Sequence, residues 1–308
     1  MEFFQTAWRD GSTFNHGLST EEYFYAQIYK AVEKNVENKN LPFFNTTNFP
    51  MEVTTGKIIN DENLIALEQM AAKQGYKSNM WIYGDTLEKL QKEGIKLNLK
   101  QGAEPVLCLT KFANANHIKE NELYISENGS KAKAQFLYNY DSLDDRSKQQ
   151  IQDHYSTTFE NGRIYEAENH KNFSENIKNG NKSPLLNTLK NNLKGQCEKA
   201  QETYAKASPA SSRVDFSALI NAQARHCCQS ACGGKITNTI NPQVKQNCYE
   251  LLGTIFEESK VNGSKPWKVG EAITRALDAG TRYAKSYTAK DFNLEVRKTR
   301  EEMNEKNK

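Results

Sequence analysis

The sequence has no long apolar run and no familiar catalytic signature, and each absence narrows what the chain does. Nothing approaches the ~20 consecutive apolar residues that cross a bilayer as a helix. A content of 37% hydrophobic residues and a mean hydropathy of -0.80 describe a rather polar, soluble chain with no membrane partner. The N-terminus, MEFFQTAWRDGST, lacks the positive segment and apolar core of a secretory signal, so a cytoplasmic location is expected. H-E-x-x-H, G-x-x-x-x-G-K-[ST] and G-x-S-x-G are all missing. No catalytic residue and no cofactor is therefore expected. His16, His117, His154, His170 and His226 are scattered through mostly polar surroundings, and no internal repeat of fixed period occurs.

What is present is a chain of 308 residues, long enough for two domains, with an uneven charge. Residues 1–184 hold 21 Lys+Arg against 25 Asp+Glu, a balance of −4, whereas residues 185–308 hold 20 against 13, a balance of +7. The basic second half is the better candidate for sequence-independent phosphate contacts.

Helical spacing begins behind Ser19, where a cap residue precedes Glu21 and Glu22. From Thr55-Gly56-Lys57 onward, Leu64, Ile65, Leu67 and Met70 recur at helical spacing up to Gly75. A second helix spans 86–92, and strands are expected over 95–98, 105–109, 122–125 and 132–140, the last two joined by a turn at 127–130. The expected architecture is a small antiparallel sheet with helices, an α+β domain over residues 1–165. An Asn- and Lys-rich linker over 166–184 and an all-α, basic helical bundle over 185–308 follow. Candidate helices in the bundle span 185–206, 214–232, 242–259, 269–286 and 292–306.

Thr55, Gly56, Asn63, Gly75, Tyr76, Ser78, Trp81, Gly94, Lys100, Gly102 and Val106 occur in one order and spacing. Leu41-Pro42-Phe43-Phe44 stands before them and Phe136-Leu137-Tyr138-Asn139-Tyr140 after. This arrangement resembles the N-terminal single-stranded-DNA-binding domain of ArdC-type antirestriction proteins, also found in TraC-like conjugative primases, over residues 20–145. The pattern departs at Ile59 and Glu62, where the family has Tyr and Gly, and at Gln101, which splits a Lys-Gly pair. Many ArdC-type proteins also carry a zinc-protease-like C-terminal domain with H-E-x-x-H. This chain has none, so protease activity is not carried over.

The resemblance implies a single-stranded-DNA site built from Phe43, Phe44, Asn63, Tyr76, Trp81 and Tyr83, with Lys57, Lys77, Lys96 and Lys100 on the phosphates. Aromatic stacking with lysines along the backbone holds single strands without sequence preference. The alternative is that these aromatics form the core of a small α+β domain. A second cluster holds Cys197, Cys227, Cys228, Cys232 and Cys248 beside His226. His226, Cys228, Cys232 and Cys248 are candidate zinc ligands, but C-x-x-C knuckles are absent, and buried free thiols are the first expectation. The implied function is single-stranded DNA binding for a mobile element, as antirestriction or anti-defence protection of transferred DNA. Alternatives are an anti-defence factor that docks its helical domain on a host protein complex, and an accessory subunit of a primase or relaxase system.

Overall fold

The computed structural model describes residues 18–45, 49–56, 58–59, 62–112, 124–125, 131–156, 184–231 and 242–284. Helix α1 (Thr20–Glu37) starts on a reciprocal capping box. The Ser19 N–H donates to Glu22 Oε2 (2.7 Å) and the Glu22 N–H donates to Ser19 Oγ (3.2 Å), which satisfies two amides that a helix end leaves open. A 3-10 turn (Pro42–Phe44) and strand β1 (Met51–Glu52) follow. Helix α2 (Glu62–Gln74) stops at Gly75, whose φ of 71° is left-handed and costs a glycine little. Next come β2 (Met80–Tyr83), α3 (Gly84–Lys92), β3 (Val106–Phe112), β4 (Tyr124–Ile125), β5 (Lys131–Asn139) and α4 (Asp145–His154).

The strands form one five-stranded sheet in the order β1-β2-β5-β3, with β4 also on β5. Every pairing is antiparallel except β1 with β2, where Met51 lies beside Met80 and Glu52 beside Trp81 in parallel register. The sheet is thus mixed, not purely antiparallel as the sequence suggests. The reason is the connection: α2 carries the chain from the end of β1 back to the start of β2, and such a crossover sets two strands parallel. The expected strand over 95–98 is absent. That segment is tied to the start of α4 instead, with the Asn98 N–H donating to Ser147 Oγ (2.8 Å) and the Asp144 N–H to Asn98 O (3.1 Å).

Apolar side chains cover the sheet on both faces. Phe24, Ile28, Ile65, Met70, Trp81, Leu107 and Leu137 belong to the main core under α1 and α2. Ile82, Leu87, Leu90, Tyr138 and Ile151 form a second cluster with α3 and α4.

The second half is helical, as its periodicity implies: α5 (Pro184–Ala207), α6 (Ser217–Ala231), α7 (Pro242–Val261) and α8 over 266–284. The expected helix over 292–306, the turn at 127–130, the linker over 166–183 and residues 1–17 lie outside the described residues. The main core does not stop at the linker. It runs from Phe24 and Tyr29 of α1 through Leu252 and Phe256 of α7 to Val269, Ile273 and Leu277 of α8. Tyr29 meets Phe256 edge-on at 5.1 Å between ring centroids. Helix α8 is the seam. A Cβ at Gly270 would overlap the Tyr25 carbonyl of α1, and one at Gly280 would lie 2.6 Å from the Ile220 carbonyl of α6. Backbones approach that closely only where no side chain intervenes. Among the described residues no helix is long and apolar enough to cross a membrane.

Candidate nucleic-acid interface

The residues expected to stack bases divide sharply by burial. Phe43 is 0% exposed and Trp81 is 1% exposed. Trp81 sits in β2 between β1 and β5, with Tyr76 edge-on at 6.5 Å. Neither ring presents a face to a ligand, so both are corrected to core residues. The physical reason is that β2 is an inner strand with helices over each face, which leaves its middle residues no solvent side. Phe44 is half-buried, 4.7 Å from Phe43 and 5.7 Å from Tyr249, with the Lys245 ammonium 5.5 Å from its ring. Tyr83 is half-buried at the end of β2. Lys57 lies outside the described residues, and Lys96 is exposed after α3.

Asn63 is also corrected, to a structural role. It is 5% exposed, and its carboxamide takes both backbone groups of Leu109: Nδ2 donates to Leu109 O (3.0 Å) and Oδ1 accepts from Leu109 N–H (2.8 Å). Gln27 does the same at Leu107, donating to its carbonyl at 2.6 Å and accepting from its N–H at 3.2 Å. Strand β3 pairs with β5 along one side only, and alternate residues turn their polar backbone to the other side. The two carboxamides stand in for a neighbouring strand along that edge. They satisfy its hydrogen bonds and deny it as a template to other chains.

Three of the expected residues do come together. The Lys77 and Ser78 amides both donate to Asp141 Oδ2 at 2.7 Å. Lys148 Nζ donates to Asp141 Oδ1 (2.9 Å), and Lys100 Nζ to the Asp141 carbonyl (3.0 Å). The Lys148 ammonium also lies 5.6 Å from the Tyr140 ring, whose hydroxyl donates to the Lys148 carbonyl (2.6 Å). Tyr76 borders this corner, half-buried. Local structure builds it: α2 ends at Gly75, so 76–79 run extended. Asp141 opens a 3-10 turn (Tyr140–Ser142) held by the Asn139 side chain, and Asp144 caps α4, which carries Lys148.

Burial pulls the Asp141 carboxyl upward, but the hydrogen bonds from Lys148, Ser78 and Lys77 outweigh it and hold the group below its ordinary value. Burial raises the Tyr76 hydroxyl, helped by Glu104 and Asp141, and burial likewise raises Tyr140. The corner thus presents the ammoniums of Lys100 and Lys148, with the Lys77 and Ser78 amides, around one ionised aspartate, beside two neutral phenols. That is a surface able to hold an anion beside an aromatic edge. Lys148 and Tyr140 escaped the sequence reading. The available signal was the Asp144 cap, which sets Lys148 one turn into α4 and back toward Asp141.

No family model, curated protein or solved structure matches this chain. The ArdC-like resemblance therefore rests on the order of residues alone, and the burial of Trp81, Phe43 and Asn63 gives part of that order a structural meaning.

Of the thiol and imidazole cluster, His226, Cys197, Cys227 and Cys248 have described side chains. His226 is fully buried on α6, with Nε2 2.6 Å from Glu68 Oε1 of α2 and Nδ1 buried without a partner. Burial pushes the Cys248 thiol up to about 12 in the apolar core. Burial, with Asp215, raises Cys197 to about 11. Both are neutral thiols, poor metal ligands as they stand. The Cys228 side chain and Cys232 lie outside the described residues. Among the described residues no group of three or more His, Cys, Asp or Glu side chains is placed to hold a metal ion.

Proposed function

We propose that this chain binds single-stranded DNA, and that the Asp141 corner, with Lys77, Lys100, Lys148, Tyr76 and Tyr140, contacts the strand. The observation that carries the reading is the convergence of the Lys100 and Lys148 ammoniums and of Tyr76 on Asp141, where the Lys77 amide is also held. The ArdC-like order of residues extends it to a mobile element, where a protein coating transferred DNA shields it from restriction or other defence nucleases. The role is one of binding, without covalent chemistry of its own.

The test is an anisotropy titration with labelled single-stranded and duplex oligonucleotides at 50 and 200 mM salt. Three phosphate contacts on a single strand give a log–log salt slope of roughly −2, a loss of roughly 20-fold over that range. A Lys77→Ala, Lys100→Ala, Lys148→Ala triple variant is expected to flatten the slope by that amount. Equal affinity for duplex and single strand would remove the single-strand preference. An absence of binding at 50 mM salt would turn the reading toward the protein-docking alternative.

A further inference from the structure

The turn between α7 and α8 reads Lys260-Val261-Asn262-Gly263-Ser264-Lys265-Pro266-Trp267-Lys268, with three lysines and no acid. Val261 is 86% exposed, the one large apolar side chain standing so far into solvent among the described residues. Trp267 is half-buried: part of the indole packs against the main core, which fixes the ring, and the rest reaches the surface. Two ammoniums lie over that indole, Lys268 Nζ at 5.4 Å and Lys265 Nζ at 6.0 Å from the ring. Lys260 is paired with Glu33 of α1 at 2.9 Å. Among the described residues neither Lys265 nor Lys268 makes an ion pair, so both stand as positive charges beside one aromatic.

We propose that Trp267, Lys265 and Lys268 form a stacking site for one base of a single strand, with the lysines on the flanking phosphates. An exposed lysine–indole contact is worth about two- to fivefold in an equilibrium. A base stacked on an aromatic side chain is worth about five- to 150-fold. A base that takes the indole face therefore gains more than the lysines lose, and the lysines regain their loss on the phosphates. The site takes any base, because stacking uses the π-face and not the hydrogen-bonding edge. It also gives the basic second half of the chain a defined contact, away from the core-bound Trp81. The inference rests on the single-strand reading above but on different residues.

The experiment uses the full chain and a fluorescein-labelled 15-nucleotide oligo-dT, with Trp267→Ala, Trp267→Phe and a Lys265→Ala, Lys268→Ala double variant. Circular dichroism and melting establish the folded fraction of each. Trp267→Ala is expected to weaken binding at least fivefold and Trp267→Phe to restore most of it. The double lysine variant is expected to lower the salt slope by about 1.4, two phosphates at about 0.7 each. If Trp267→Ala fails to fold, the lysine pair decides, since Lys265 is exposed and Lys268 only half-buried. Wild-type binding with an unchanged slope in the lysine variant would overturn this site and leave the Asp141 corner standing. No wild-type binding at 50 mM salt would overturn both. If the same lysines instead govern binding to vesicles containing phosphatidylserine, with oligo-dT binding unaffected, the turn belongs to an anionic membrane surface and this inference falls.

Discussion

Replacing Asn63 with alanine tests the sheet edge directly. In the native chain the Asn63 carboxamide satisfies both the N–H and the C=O of Leu109, at 2.8 and 3.0 Å, and Leu109 is itself only 5% exposed. Alanine leaves two buried backbone groups with no water to replace the lost partner. Each unsatisfied group costs about 1–3 kcal/mol, so a loss of about 2–6 kcal/mol is expected. That is a large share of the 5–15 kcal/mol that typically separates a folded domain from its unfolded state. Asn63→Asp is the informative companion. It keeps an acceptor for the Leu109 N–H but sets a carboxylate against the Leu109 carbonyl, so it is destabilising too. The assay is urea unfolding, read as a lower midpoint at unchanged slope, with hydrogen exchange at the Leu109 amide as the local probe. An Asn63→Ala chain that unfolds like wild type, yet loses single-strand affinity, would refute the edge argument and return Asn63 to the ligand.

Three further outcomes follow from the same structure. Glu68→Leu strands the His226 imidazole in the interior and is expected to cost about 1–3 kcal/mol, whereas the Glu68→Leu, His226→Leu pair costs less because no lone polar group remains; urea midpoints of both decide it. Asp141 titrates below its ordinary value in the folded state, so its contribution to stability is present above that ordinary value and disappears as pH falls through the lowered one. The stability gap between wild type and Asp141→Asn should accordingly be widest at pH 7 and close below about pH 4; a gap constant from pH 7 to pH 3 would contradict the assignment. Trp81→Ala removes a fully buried aromatic and is expected to cost about 3–5 kcal/mol, and binding by its folded fraction should be unaffected.

The helices were legible because their signals are local. Ser19 and Glu22 announce a capping box within four residues, and the apolar spacing of 242–261 needs no distant partner. Strand β2 was not legible. Met80–Tyr83 is four apolar residues without alternation, since both faces are covered, and the same letters serve an exposed aromatic patch. That ambiguity turned Trp81 into a candidate platform. Tyr76, Lys77 and Lys100 were found by pattern, while Lys148 and Tyr140 join them only through the return of the chain after β5. Gln27 and Asn63 cap residues 80 and 46 positions away, a relation that local spacing cannot encode. The same holds for the shared core: periodicity tells which face of α1 is apolar, not that α8 lies against it.

That last contact also orders events in time. Tyr25 and Gly270 are 245 positions apart (270 minus 25), so at roughly 5–20 residues per second a ribosome needs roughly 12–50 s between them. Throughout that interval α1 has left the exit tunnel without the helix that closes it, and the side of Tyr25 and Tyr29 that meets α7 and α8 is uncovered. Completion of folding is therefore tied to the end of synthesis: a chain terminated before residue 266 lacks the helix that closes over Tyr25.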